Sequence, residues 1–210
     1  MHFQDTIVAP ATPNGESAIA MIRVSGPLCP SLVRDIFKKK ELAPRRANLG
    51  QYRDIHNTVL DQVIYIYYEQ NASYTADPML EITCHGNPLI IQKILNDFLQ
   101  RGCRIAEAGE FTRTAFLNGK IDLSQAEAVI DIIRARSTKA LQSAQKQLSG
   151  SIGKTINKLI DNLLQIIAHL EAYIDFPEED LPPEDRNGPI KDLSALQQEM
   201  EQLINTSHYN

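Results

Sequence analysis

At 210 residues the chain is long enough for one large domain or two small ones, and an apolar fraction of 43% is that of an ordinary globular protein. A net charge of −5 argues against a broadly basic nucleic-acid surface and leaves one local patch, Lys38-Lys39-Lys40 with Arg45-Arg46, which reads first as a solvated loop. Cys29, Cys84 and Cys103 are widely spaced with no CxxC, which points to neither a disulfide framework nor a zinc site and fits a reducing cytoplasm, while no leader-like start or long apolar run indicates export or membrane spanning.

From Thr6 the chain opens apolar, turns through Pro10 to Gly15, and continues over Ala18 to Val24 as a buried strand. Arg23 interrupts that run. It lies either on an edge strand in water or beside a partner, because an unpaired buried guanidinium is very costly. Leu28, Leu32, Val33 and Ile36 have helical spacing, and the polar, Pro-containing run Lys38 to Arg46 reads as loop. Leu49 to Tyr68 reads as a hairpin about His56-Asn57, its second arm VLDQVIYIYY rich in β-branched and aromatic residues. The polar segment EQNASYTADP follows, then MLEITCHG, where Leu80, Ile82 and Cys84 alternate with Glu81, Thr83 and His85. Glu81 and His85 thus share a face. His85 admits two readings, a general acid or base and a structural hydrogen-bonding histidine; Cys84 reads as a small buried residue. Pro88 to Arg101 is amphipathic and ends at Gly102, and Cys103 to Ala106 predicts a short returning strand.

The stretch from Gly109 to Ala135, GEFTRTAFLNGKIDLSQAEAVIDIIRA, organises the rest. It reads as an irregular Gly- and Asn-containing segment whose Asn118-Gly119 turn presents Lys120 for binding, followed by a helix starting at a Ser124–Glu127 capping box. Helical spacing then runs for about fifty residues, with Gly150 and Gly153 as a break or kink. An acidic Pro-rich turn follows over 175–185, and Ile190 to Ile204 forms one more helix. So long an apolar stripe needs a partner surface, from another chain or from sequence beyond this one.

Four segments in order carry a family likeness: DTIVAPATPNGESAIAMIRVSG, SYTADPMLEITCHGNP, GEFTRTAFLNGKIDLSQAEAVIDII and AYIDFPEED. The chain resembles, end to end, the N-terminal and first helical portions of the MnmE (TrmE) family of tRNA-modification GTPases. The resemblance implies an α+β fold: a mixed-sheet, tetrahydrofolate-binding-like and dimer-forming domain over 1–120, then the first portion of a helical domain over 121–210. It implies 5-formyl- or methylene-tetrahydrofolate as ligand, with contacts carried onto Arg23, Glu81 and Lys120, and with Ser73, Tyr74 and Thr75 in the loop that precedes Glu81. A carboxylate can accept two hydrogen bonds from the pterin amino edge, and a cation suits the anionic glutamate tail. GTP, Mg2+ and K+ would belong to a G domain whose GxxxxGK[ST] and NKxD motifs this sequence does not contain. Implied partners are a second copy, tRNA, and a flavin-dependent protein of the MnmG (GidA) type, all in the cytoplasm, with modification of the wobble uridine as the function. Two other readings compete: a non-catalytic dimerisation scaffold, and a free-standing folate-dependent aminomethyltransferase. Three departures from the family pattern stand out: Thr75-Ala76-Asp77-Pro78 where Thr-Gly-Glu-Asp is usual, Thr114 where an arginine commonly precedes Ala-Phe, and Asn87 after His85-Gly86. Ala76 and Pro78 predict a differently shaped loop.

Overall fold

The structure, a computed structural model, describes residues 5–41, 43–175 and 188–207. The chain divides into two compact units, Met1–Ala126 and Glu127–Asn210.

In the first unit six strands, β1 (Ile7–Pro10), β2 (Ser17–Ser25), β3 (Asn48–Arg53), β4 (Val59–Tyr68), β5 (Met79–Gly86) and β6 (Arg104–Ile105), form one sheet in the order β3-β4-β5-β2-β1-β6. All neighbours are antiparallel except β1 and β6, which run parallel, so the sheet is mixed as expected. Strict alternation sorts the strands' side chains onto two faces. Ile22, Val24, Leu80, Ile82, Val63 and Tyr65 turn inward, where α1 (Cys29–Phe37) and α2 (Pro88–Gln100) cover them with Leu32, Val33, Ile36, Ile94 and Phe98. Phe37 stacks on Tyr65 at 3.7 Å between ring centroids, and Gly50 makes room, since a Cβ there would meet both rings at 3.0 Å. The second face is less covered: Ile19, Leu49 and Ile64 stay exposed there, in cross-strand register with His85, Ile64 and Thr83 respectively.

One buried polar network closes the helix-covered side. Asp97 accepts from the Tyr52 hydroxyl at 2.8 Å, from Arg101 Nε at 2.7 Å and from the Ile55 N–H at 2.8 Å. Burial, then the adjacent carboxylate, pushes the Tyr52 phenol up, so it remains a donor. α2 ends as expected at Gly102, whose φ of +91° suits a residue without a Cβ.

Three expectations for the junction need correction. The stretch after Gly109 is not irregular: residues Glu110–Leu117 form α3. The cap of α4 (Leu123–Arg134) is Asp122 rather than Ser124. Asp122 Oδ1 accepts from the Gln125 N–H at 2.8 Å while Gln125 Oε1 accepts from the Asp122 N–H at 3.0 Å, the same reciprocal box set two residues earlier. Ser124 Oγ donates to that carboxylate instead, at 2.7 Å. Nor is the following helix continuous. It breaks before α5 (Thr138–Leu148), capped by Ser137 Oγ accepting from the Ala140 N–H, and again before α6 (Ser151–Asp175), where Gly150 takes φ +74°. Gly153 lies within α6 and breaks nothing.

In the second unit α6 and α7 (Gly188–Ser207) pack along their length about Leu159, Ile166 and Leu196, with Leu203 against them. The rest of the stripe, including Ile160, Leu164, Ile167 and Ile174, remains exposed. The turn expected over 175–185 lies, after Asp175, outside the described residues. Among the described residues no helix is long and apolar enough to cross a membrane.

Candidate functional site

Arg23 sits in β2, an interior strand, directly across from Glu81 of β5, which excludes the edge-strand reading. Its Nε and Nη2 donate to Glu81 Oε1 at 3.0 and 2.7 Å. Tyr68, from β4, donates its hydroxyl to Glu81 Oε2 at 3.1 Å; burial, then the carboxylate itself, raises the Tyr68 phenol and keeps that proton in place. The guanidinium is flanked by two rings, Tyr74 at 5.3 Å and Phe111 at 5.7 Å from their centroids, within the range of cation–π attraction. The pair is partly accessible, with side chains 25% and 13% exposed, and sits at the β2–β5 pairing on the sheet face opposite α1 and α2.

The loop between β4 and β5 borders this pair through Tyr74. Its residues Ser73 and Thr75 turn away from it: Thr75 Oγ1 lies 2.6 Å from Ser25 Oγ, and Ser73 Oγ donates to the Asp77 carbonyl at 2.5 Å. Both hydroxyls are buried and hold the loop's shape. Tyr74 points the other way, its hydroxyl 3.0 Å from Thr112 Oγ1 on α3. The turn after α3 ties the same loop twice more, through Asn118 Nδ2 to the Thr75 carbonyl at 2.7 Å and through the exposed Lys120 Nζ to the Asn71 carbonyl at 3.2 Å. The structure therefore brings Arg23, Glu81 and Tyr74 into contact, and Lys120 reaches the loop that carries Tyr74.

Ala76 occupies the left-handed region at φ +66°, the conformation a glycine would adopt there without strain. The loop thus keeps a left-handed turn despite the missing glycine. Ala76→Gly is expected to raise the unfolding free energy by about 0.5–1 kcal/mol, the relief of a left-handed alanine less the greater chain entropy of glycine. Denaturant melts of the two chains check this, and a glycine variant of lower stability would show that the buried Ala76 methyl matters more.

α3 is held by a carboxylate that the sequence reading passed over. Glu110 is buried and accepts two bonds from Arg104, at 3.0 and 2.6 Å, and one from the Glu107 N–H at 2.7 Å. Hydrogen bonds from Arg104, aided by the Glu107 N–H and opposed in part by burial, hold its carboxyl below the usual carboxylate range. A depressed folded pKa contributes stability that is present above the unfolded value of about 4.3 and lost as pH falls through the folded one. Wild-type stability should accordingly fall more steeply than that of Glu110→Gln on acidification below about pH 4.5. Parallel pH-dependent melts test this, and equal slopes would remove Glu110 from the account.

His85 is held by Asp61, with Nδ1 2.8 Å from Oδ1 and its own N–H donating to Oδ2 at 2.8 Å. It lies four residues along β5 from Glu81, about 13 Å by strand rise, so the two do not form one constellation. Cys84 is buried, and burial pushes its thiol up to about 11, as it does that of Cys103, leaving both unreactive at neutral pH. Lys38, Lys39 and Lys40 are exposed, as a solvated loop requires.

The family model described as GTP-binding protein TrmE N-terminus matches residues 6–120, and that of the MnmE helical domain matches 123–210. The chain belongs to the MnmE/TrmE family. It is 48% identical over 99% of its length to the tRNA modification GTPase MnmE of Opitutus terrae, and 43% identical over 98% to that of Aquifex aeolicus. It spans 46% of the length of each of these relatives. Glu81 retains lone pairs beyond those met by Arg23 and Tyr68, Tyr74 and Phe111 lie beside the Arg23 guanidinium, and Lys120 offers an exposed ammonium. These groups fit a planar, amino-edged ring with an anionic tail.

Proposed function

We propose that this chain is the folate-binding and dimer-forming portion of a tRNA modification GTPase acting on the wobble uridine. The observation that carries the reading is the half-buried Arg23–Glu81 pair set between Tyr74 and Phe111, with Lys120 on the adjoining loop. Glu81 would hold the pterin edge of 5-formyl- or methylene-tetrahydrofolate, and Arg23 and Lys120 would meet its anionic portions, with Ser73 and Thr75 shaping the loop behind Tyr74. When bound, the folate supplies the one-carbon unit at C5 of the uridine. A second copy of the chain would cover the open sheet face, where Ile19, Leu49 and Ile64 are exposed. GTP, Mg2+ and K+ belong in this reading to a G domain for which this sequence has no motif, and a flavin-dependent protein of the MnmG type completes the reaction in the cytoplasm.

A calorimetric titration of the chain with 5-formyltetrahydrofolate tests the reading. Saturable heat at one ligand per chain supports it; absence of heat overturns the folate assignment. One observation favours the alternative of a non-catalytic scaffold: both Glu81 oxygens already accept bonds from the protein, a self-sufficient arrangement that needs no ligand. The same titration separates the two.

A further inference from the structure

Charge in the second unit is sharply segregated. Residues 132–160 include Arg134, Arg136, Lys139, Lys146, Lys154 and Lys158 and not one Asp or Glu, although the chain as a whole is acidic at −5. Lys158 lies 4.0 Å from Glu199. The other five are exposed, and among the described residues none of them forms a salt bridge. Where α4 ends and α5 begins, the chain folds into an elbow with an open cleft of about 470 Å³, lined by Arg134, Arg136, Ser143 and Gln147 over the small side chains of Ala140 and Ala144. One carboxylate, Asp131, also lines it. Lys139 and Lys146 follow on α5, about 10 Å apart along its axis.

We propose that this elbow binds the sugar–phosphate backbone of a folded RNA, the transfer RNA on which the family acts. Guanidinium forks, ammonium groups, hydroxyls and amides are the donors that phosphate and ribose oxygens take. Between residues 132 and 160 there is no aromatic side chain on which a base could stack, so the surface reads backbone shape and charge, not unpaired bases. Among the residues that line the cleft Asp131 is the one carboxylate, so the exposed cations give this segment a local positive field on a chain that is acidic overall. An RNA with regular helical stems suits a row of cations spaced along a helix better than a short anion suits it. The inference rests on the tRNA-directed reading above but uses none of the residues around Arg23 and Glu81.

Fluorescence anisotropy of the 210-residue chain against a labelled transfer RNA, across a salt series, tests it. Arg134→Ala/Arg136→Ala should weaken binding at least about fivefold and reduce the log–log salt slope by about 1–2, the share of one or two phosphate contacts. Arg134→Lys/Arg136→Lys should recover most of the affinity, which distinguishes lost charge from lost fold. Alanine at Lys38, Lys39 and Lys40 should leave binding unchanged. The proposal is overturned by an unchanged slope in the Arg134/Arg136 alanine variant, by loss of binding in the Lys38–Lys40 variant, or by polyglutamate competing as well as RNA, the mark of a surface for acidic protein. Titrating the same preparations with 5-formyltetrahydrofolate keeps the two readings apart: folate heat without RNA binding refutes only this surface, and RNA binding without folate heat refutes only the folate assignment.

Discussion

Replacing Asp97 with alanine is expected to destabilise the first unit by about 3–5 kcal/mol, a large part of the stability of a domain this size. The change removes three acceptor contacts at once. It leaves the Tyr52 hydroxyl and the Ile55 N–H without their acceptor, and the Arg101 guanidinium with only its Nη2 bond to the Arg53 carbonyl, in a region where Tyr52 and Phe98 are fully buried. Desolvating such groups without a partner costs about 1–3 kcal/mol each, more for a charge, and partial rescue by water lowers the sum. Asp97→Asn keeps one acceptor oxygen and should cost about half as much, since an amide oxygen in the place of Oδ2 can still meet two of the three donors, Tyr52 and Arg101. Urea unfolding of the three chains measures the series. A loss under about 1 kcal/mol for the alanine variant would mean that the network adds little beyond the apolar packing of α2.

The second large effect falls on binding. Glu81→Gln should lower affinity for 5-formyltetrahydrofolate by about 30- to 1,000-fold, or 2–4 kcal/mol, because a charge-assisted acceptor becomes a half-donor group facing the ring's own donors. The fold should change little, for the pair is partly solvated and the amide oxygen still accepts from Arg23 or Tyr68. Lys120→Ala should cost only several-fold, since Lys120 is exposed and acts as a point charge. Calorimetry on both variants checks the order. Equal affinity in Glu81→Gln and the native chain would remove Glu81 from the site.

Much of the sheet was legible because one side of it is buried. Leu80, Ile82 and Cys84 all fall on the helix-covered face, and alternation alone separates them from Glu81 and Thr83. The same reading placed Glu81 on the opposite face of its strand and left Arg23 open between water and a partner; only the register between β2 and β5 makes the two partners, and register follows from the whole sheet. Tyr68 and Phe111 were missed for the same reason: each reads locally as an apolar position, and nothing nearby in sequence says that it borders a cation. α3 escaped because its pattern is inverted, with the carboxylate of Glu110 inside and Phe116 and Leu117 exposed. Its signal, an acid flanked by Arg104 and Arg113 next to a glycine, is one of charge pairing rather than hydrophobic period. The helical breaks were half legible. Gly150 announced one, whereas the other depends on Ser137 capping a new helix in a run with few turn residues. At Asp122 two capping signals overlapped, and the carboxylate, the stronger acceptor for a helix N-terminus, took the position.

The claim at the centre of this account is that the partly exposed Arg23–Glu81 pair receives a reduced folate. A crystal structure of the chain grown with 5-formyltetrahydrofolate tests it most directly. The account predicts ligand density touching Glu81 and Arg23 beside Tyr74 and Phe111, with Lys120 within reach of the anionic tail. Density bound elsewhere, with the Arg23–Glu81 pair untouched, would contradict it.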